Sequence, residues 1–368
     1  MLFPPATCRR LIVKIGSALL VDGDGSVRAA WLADVAHDIG ARVAAGQQVA
    51  VVSSGAIALG ARRLALAKGG RASLEDAQAA AAVGQIALSQ IWAQTLADAG
   101  LTAAQILLTI DDLESRRRYL NAAATLERLL SLGAVPVINE NDSVATSEIR
   151  FGDNDRLAAR VGQAARADGI LLLSDIDGLY DRNPAESGAQ HIARIERIDA
   201  RIRAMADGGS ASGIGSGGMA SKIAAAEIAG HAGIDLAIAS GTAGRPLGED
   251  VRHSIFAAPR TPSRARKNWL AGRLVVRGQI SVDGGAARAL AKGSSLLAVG
   301  ITGVDGRFQR GDVVDVIAPD GQIIARGLAE YDAGDASRII GLASDAQAAI
   351  LGYAPRNAII HRDHMVLL

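Results

Sequence analysis

Six short apolar runs, separated by longer stretches of helical periodicity, dominate the first two-thirds of the chain. They are "RLIVKIG" (10–16), "QVAVVSS" (48–54), "AQILLT" (104–109), "AVPVIN" (134–139), "GILLLSD" (169–175) and "IDLAIASG" (234–241). Most are apolar with almost no interruption, as expected of strands buried on both faces of a parallel sheet. The stretches between them, 28–45, 75–98, 116–132, 154–166 and 220–232, are amphipathic or alanine-rich helix candidates. Strand–helix alternation of this kind predicts an α/β fold, three αβα layers around a mostly parallel sheet with right-handed crossovers. Ligands in such sheets bind beyond the carboxyl ends of the strands, so the residues at those ends carry the functional information.

The pattern changes after residue 258. The segment "APRTPSRARKNWLAGR" (258–273) has two prolines, five basic residues and no acid, and reads as a linker. Beyond it, Asp-Gly pairs at 283–284, 305–306 and 320–321 separate alternating apolar runs, which predicts hairpins in a small antiparallel β-barrel. The expected division is a first domain over 1–258, a linker over 259–277, a second domain over 278–356 and a tail over 357–368.

Composition agrees with layered α/β packing. Of 368 residues, 49% are apolar and only 3% aromatic. Lysine and arginine total 39 against 38 acids, so no global field draws the chain to nucleic acid or an anionic membrane. One cysteine, Cys8, allows no internal disulfide and points to a reducing compartment. Lys14 interrupts the first apolar run too early for a signal-peptide core, and no window reaches the ~18 apolar residues of a membrane span. A cytoplasmic location is expected.

Polar residues gather at the strand ends. Lys14 lies inside the first strand and is followed by Gly16 and Ser17; a lysine there either reaches an anion at the strand end or snorkels from an edge strand. The second strand ends in Ser53, Ser54 and Gly55, a small-ligand contact or an ordinary helix cap. Asn139, Glu140, Asn141 and Asp142 follow the fourth strand, and Asp153, Asn154 and Asp155 open the next helix. Acidic helix caps account for one such cluster more readily than for both. Ser174 and Asp175 end the fifth strand.

The segment "SGIGSGGMASK" (212–222) holds a literal G-x-G-x-x-G at Gly213, Gly215 and Gly218. A dinucleotide fingerprint needs those glycines directly after a strand, and the preceding "MADGGSASG" is polar and Gly/Ser-rich. A Walker A loop needs G-K-[ST], which is absent here. The remaining readings are a solvated loop or a phosphate cradle, in which free N–H groups at a helix start near Ala220 act with Lys222.

Together "VKIGSALL" (13–20), "VVSSGAIALG" (51–60), "VPVINENDSVAT" (135–146), "FGDNDRLAA" (151–159), "ILLLSDIDGLY" (170–180) and "GIGSGGMASK" (213–222) resemble the amino-acid kinase family. The likeness is greatest to those members that phosphorylate the side-chain carboxylate of L-glutamate. The segment from about Gln279 to Tyr353 resembles a PUA domain. The resemblance implies transfer of a phosphoryl group from ATP to L-glutamate, giving L-glutamyl 5-phosphate, the first step of proline biosynthesis. It implies that Lys14 stabilises the phosphoryl group, Lys222 the leaving bridge, and that Asp155 holds both ammonium groups. Ser54, Asp142 and Asn154 would bind glutamate, with Asp142 suited to its α-ammonium. Lys14, Ser174, Asp175 and Ser216, Gly217, Gly218, Met219, Ala220, Ser221 and Lys222 would bind ATP. Mg²⁺ is implied by the chemistry and is assigned no protein ligand. The resemblance also implies a homo-oligomer (dimer or tetramer), feedback inhibition by L-proline and channelling to the next enzyme.

The chemistry suits these residues. A carboxylate acceptor is already ionised near neutral pH and needs no general base. The obstacle is repulsion between two anions, roughly 4 kcal/mol at ~4 Å and an effective dielectric of ~20. Rival readings are an aspartate, N-acetylglutamate or uridylate kinase, and an RNA-binding PUA protein. Asp142 favours a substrate with a free amino group. Seven basic residues against nine acids over 278–356 form a poor footprint for a phosphate backbone. Trp31, Trp92 and Trp269 read as packing residues, Cys8 as inert, and His361 and His364 as solvated tail residues.

Overall fold

The computed structural model describes residues 2–22, 26–144, 154–206, 218–242, 244–248, 251–259, 276–356 and 358–368. Its Cα packing divides the chain into one unit of residues 1–114 and 122–260 and another of 115–121 and 261–368.

The first unit is built on an eight-stranded sheet. Its strands are β1 (Arg10–Ile15), β2 (Gln48–Ser53), β3 (Ala103–Leu108), β4 (Val135–Glu140), β5 (Gly169–Ser174), β8 (Arg194–Ile195), β9 (Asp235–Ser240) and β10 (His253–Phe256), in the order β3-β4-β2-β1-β5-β9-β10-β8. The short strands β6 (Leu179–Tyr180) and β7 (His191–Ile192) form a separate hairpin. The first five strands and β9 are mutually parallel, each within a residue or two of an apolar run. Strand β10 enters antiparallel against β9, and β8 pairs parallel with β10, so these two run opposite to the other six. A parallel sheet requires crossovers, and these are the helices α2 (Ala29–Ala44), α4 (Leu74–Asp98), α6 (Arg116–Ser131), α7 (Asn154–Ala165) and α9 (Met219–His231).

Strand β1 lies in the middle of the sheet, between β2 and β5. Lys14 is therefore no edge lysine. Leu11, Val13 and Ile15 point into one hydrophobic core with Val49, Val51, Leu171 and Leu173. Alternation sends Lys14 to the opposite face, where α7 packs on β1 and β5 and against α9. Two more helices, α3 (Ala56–Arg63) and α4, pack face to face. Their contact depends on two glycines: a Cβ on Gly60 would overlap the carbonyl of Ala80, and one on Gly84 the carbonyl of Ala56. The alanine-rich composition of α4 follows from that approach.

In the second unit a five-stranded sheet runs β12 (Ile301–Gly306), β11 (Val276–Val282), β13 (Val313–Ile317), β14 (Ile323–Leu328) and β15 (Met365–Leu367). It is mixed rather than wholly antiparallel, because β11 and β13 run parallel. The Asp-Gly pairs have three different fates. Asp320–Gly321 lies in the turn from β13 to β14, and Gly306 ends β12. Asp283 turns no hairpin; its side chain caps helix Gly284–Ala291 by accepting from the Ala286 amide at 2.7 Å. The tail histidines also depart from expectation. Strand β15 pairs with β14, and His364 is buried with Nδ1 3.4 Å from Glu330.

Candidate active site

The parallel strands end along one edge of the sheet, and the polar residues singled out from sequence stand there. Lys14 is the fifth residue of β1, Ser53 ends β2, Glu140 ends β4 and Ser174 ends β5. Helices α7 and α9 begin at this edge, which puts Asp155 and Lys222 in their opening turns.

One carboxylate joins three elements. Lys14 Nζ lies 2.6 Å from Asp155 Oδ1, and Lys222 Nζ donates to Asp155 Oδ2 at 3.0 Å. All three are buried, at 7% (Lys14), 1% (Asp155) and 4% (Lys222) exposure. Burial alone would push the Asp155 carboxyl upward, but the two ammonium groups hold it below the usual carboxylate range. For Lys222, burial lowers the ammonium pKa, Asp155 opposes that shift, and the like charge of Lys14 adds to it. Two ammonium groups thus share the one carboxylate of Asp155 in a buried setting, an arrangement that favours a further anion beside them.

The start of α9 suits the same ligand. Gly218 caps it in extended conformation without a side-chain cap hydrogen bond, and no acid lies in its first turn. The positive end of the helix dipole therefore lies beside Lys222. Met219 is the first helical residue, with Ala220 and Ser221 behind it. Asp175 is exposed at the tip of β5, accepts from Ser174 Oγ at 2.9 Å, and lies close enough to Lys222 to favour its charged form. Ser216 and Gly217, the other residues expected to hold nucleotide, lie outside the described residues, as does Asp153.

A second group lies on the β2 and β4 side. Asn154 Nδ2 donates to Ser54 Oγ at 2.7 Å, to the Ser53 carbonyl at 3.1 Å and to Asn139 Oδ1 at 3.2 Å. Neither Ser53 nor Ser54 caps α3; Gly55, at φ +109°, does so without a side-chain hydrogen bond. Because Ser54 Oγ accepts from Asn154, its own hydroxyl hydrogen points elsewhere, as a donor. Asp142 is buried, and among the described residues its Oδ1 has no hydrogen-bond partner. Burial pushes its carboxyl from 3.8 to about 6, moderated by Arg71. It borders a cavity of about 510 Å³, shared with Gln85, Ser89, Gln105, Glu140 and Asn141.

The structure thus brings Lys14, Asp155 and Lys222 into one cluster and Ser54 and Asn154 into another, with Asp142 on the adjoining cavity wall. Three participants were not assigned a part from sequence. Asn139 bridges Asn154 to Gln85, whose Oε1 accepts from Asn139 Nδ2 at 2.8 Å, and Trp92 Nε1 donates to Ser53 Oγ at 2.9 Å. Gln85, Ser89 and Trp92 recur at i, i+4 and i+7 on α4, so they share one face of an otherwise alanine-rich helix. That interruption is the signal available in the sequence. Trp92 packs as expected, at 0% exposure, but its indole also holds Ser53.

Residues 9–240 match the model of the amino acid kinase family, and residues 278–351 match the PUA domain. The chain is similar to the glutamate 5-kinase of Sphingopyxis alaskensis, 71% identical over all of both chains. It is 63% identical to the glutamate 5-kinase of Novosphingobium aromaticivorans, over 99% of this chain and 97% of that one. The glutamate 5-kinase of Zymomonas mobilis is 58% identical, over 100% of this chain and 93% of the relative.

Proposed function

From a chain that belongs to the amino acid kinase family, with the relatives just described, we infer an enzyme that transfers the γ-phosphoryl group of ATP to the side-chain carboxylate of L-glutamate. The product is L-glutamyl 5-phosphate, the first intermediate of proline biosynthesis. The observation that carries the reading is the buried Lys14–Asp155–Lys222 cluster, in which two ammonium groups converge on one carboxylate at the strand ends.

In this reading ATP lies over the start of α9 and the tip of β5, held by Met219, Ala220, Ser221, Ser174 and Asp175 together with Ser216, Gly217 and Gly218. Lys14 and Lys222 face the phosphoryl group from two sides, and Asp155 fixes the spacing of their nitrogens. Catalysis then consists of positioning and charge neutralisation, since the acceptor oxygen is already ionised. Mg²⁺ would neutralise phosphate charge as well. The chemistry of the hard cation assigns it to phosphate oxygens and water.

Asp142, Ser54 and Asn154 form the acceptor side. The unpartnered Asp142 oxygen takes the α-ammonium of glutamate, and the Ser54 hydroxyl donates to a carboxylate oxygen. An N-acylated acceptor, or a nucleotide, would leave Asp142 buried and unpaired. The deciding assay offers ATP with glutamate, aspartate, N-acetylglutamate or UMP, and traps acyl phosphate with hydroxylamine. Hydroxamate with glutamate and little with the others is expected; turnover of N-acetylglutamate at the glutamate rate would reject the assignment.

The remaining parts of the reading are a cytoplasmic homo-oligomer, a dimer or tetramer, that is inhibited by L-proline at or over the acceptor site and passes its labile product to the next enzyme. No described helix is long and apolar enough to cross a membrane. Light scattering on the purified protein and a proline titration of the assay test the first two. Flat activity across the titration would remove the inhibitor.

A further inference from the structure

Asn154 is held at the end of a chain of amides, and the direction of every donor in that chain is fixed. It starts on α4. Ser89 Oγ donates its only hydrogen to the Gln85 carbonyl at 2.8 Å, so the hydroxyl can receive only a donor from the Gln85 side chain, and Gln85 Nε2 supplies one at 3.3 Å. Gln85 Oε1 therefore faces Asn139 and accepts from its Nδ2 at 2.8 Å. Asn139 in turn presents Oδ1 to Asn154, which donates Nδ2 at 3.2 Å. The far end is set independently, because Asn154 Nδ2 also faces the Ser53 carbonyl, which can only accept.

Both ends demand the same polarity. If Gln85 inverted, Asn139 would have to invert too, and two NH₂ groups would meet where Asn139 and Asn154 now bond. Its inner half is buried, with Asn139 and Asn154 both at 2% exposure while Gln85 and Ser89 are half-buried, so water cannot readily repair a mismatch between the two asparagines. The consequence reaches the acceptor. With Nδ2 committed to three protein oxygens, Asn154 keeps Oδ1 as an acceptor without a partner among the described residues, and Ser54 keeps its hydrogen for a ligand.

We propose that Gln85 is a positioning residue for the acceptor substrate: acting through Asn139, it locks Asn154 and Ser54 in the donor–acceptor pattern that receives an amino acid. The proposal rests on the reading of Asp142, Ser54 and Asn154 as the acceptor side. Gln85 touches neither phosphoryl group nor lysine, so its influence falls on acceptor affinity.

The test is steady-state kinetics of the full-length enzyme with glutamate and ATP for Gln85→Met, Gln85→Glu, Ser89→Ala and, as a control on the site itself, Asp142→Asn. Gln85→Met removes the acceptor for Asn139 at similar volume. Loss of one buried neutral hydrogen bond predicts a KM for glutamate raised roughly tenfold, with kcat and the KM for ATP moving less than about threefold. Gln85→Glu restores an oxygen facing Asn139 and, when protonated, a donor facing Ser89, so it recovers most of the lost affinity. Ser89→Ala leaves the polarity of Gln85 to Asn139 but removes the acceptor that anchors its Nε2, which loosens Gln85 and raises the KM about threefold by the same reasoning. If Gln85→Met does not fold, Ser89→Ala alone decides: a selective rise in acceptor KM supports the chain, and none overturns it. An unchanged acceptor KM in folded Gln85→Met, a parallel change in all three constants, or failure of Gln85→Glu to recover affinity also overturns the proposal. A neutral Asp142→Asn overturns the acceptor site and the Gln85 role with it, whereas a raised KM in Asp142→Asn beside a neutral Gln85→Met rejects the Gln85 role alone.

Discussion

Lys14 and Lys222, 208 positions apart in sequence, approach opposite oxygens of the single buried carboxylate of Asp155, at 2.6 and 3.0 Å. The arrangement makes the three residues unequal in stability and equal in chemistry. Removing either lysine leaves Asp155 paired with the other and ends the repulsion between the ammonium groups. Lys14→Ala and Lys222→Ala should therefore stay folded, while kcat falls on the order of 10³-fold, as when a phosphoryl-stabilising charge is lost. Near-normal kcat in either variant removes that lysine from the mechanism. Asp155→Ala instead removes the counter-charge that two buried cations share, and a loss of stability of about 3–5 kcal/mol is expected by denaturant titration.

The proposed contact of Asp142 with the acceptor's ammonium group predicts pH-dependent binding. Burial raises its carboxyl to about 6, so it becomes neutral as pH falls through that value and loses its attraction for an ammonium group. The KM for glutamate should rise about tenfold per pH unit below 6, while glutamate's own side chain, with a pKa of about 4.3, remains mostly ionised at pH 5. Asp142→Asn should raise the KM at neutral pH and abolish this limb. A profile that keeps the limb in Asp142→Asn assigns the titration to another group.

The same carboxylate carries a stability cost, with a definite sign. Below 3.8 it is protonated folded or unfolded, and contributes nothing. Between 3.8 and about 6 the folded protein retains a proton that the unfolded chain releases, so stability falls as pH rises. Above about 6 the penalty is complete, and the gap from 3.8 corresponds to roughly 3 kcal/mol. Without substrate, Asp142→Asn should thus be the more stable protein at pH 8, with a gain that fades as pH drops towards 4. Equal melting temperatures for the two proteins at pH 8 would contradict the burial of an unpaired charge.

Much of this was legible in the sequence because a parallel sheet writes itself as apolar runs. Each of the six runs became a strand within a residue or two. Whether the lysine inside the first met an anion or snorkelled from an edge was decided only by the position of β1 in the middle of the sheet. The acceptor side was less legible. "INENDSV" offers four polar residues at and just beyond the end of β4, and nothing local distinguishes Asp142, which borders the cavity, from Asn139, which faces back toward α4. Gln85 and Trp92 were hidden more deeply, since their partners are 54 and 39 positions away and no short-range pattern records such contacts. In the second unit the Asp-Gly signal misled at Asp283, because one dipeptide serves both hairpin turns and helix caps. The local choice fell to the alanine-rich run that follows.

The contact between α3 and α4 makes one more prediction, joining packing to the acceptor site. A Cβ on Gly84 would overlap the Ala56 carbonyl and stand 2.6 Å from the Gly60 amide nitrogen, and both obstacles are backbone. No rotamer change relieves that, so Gly84→Ala must push the helices apart, at a cost of about 1–3 kcal/mol or more for overpacking. Helix α3 begins directly after Ser53, Ser54 and Gly55, and α4 carries Gln85, so separation also disturbs the acceptor side. Gly84→Ala should lower the melting temperature and raise the KM for glutamate more than that for ATP. An Ala→Gly change at Ala97, near the exposed end of α4, serves as the comparison: it weakens the helix by about 1 kcal/mol without moving α3. If the two variants lose stability alike and neither shifts the glutamate KM, the glycine contact does not set the geometry of the site.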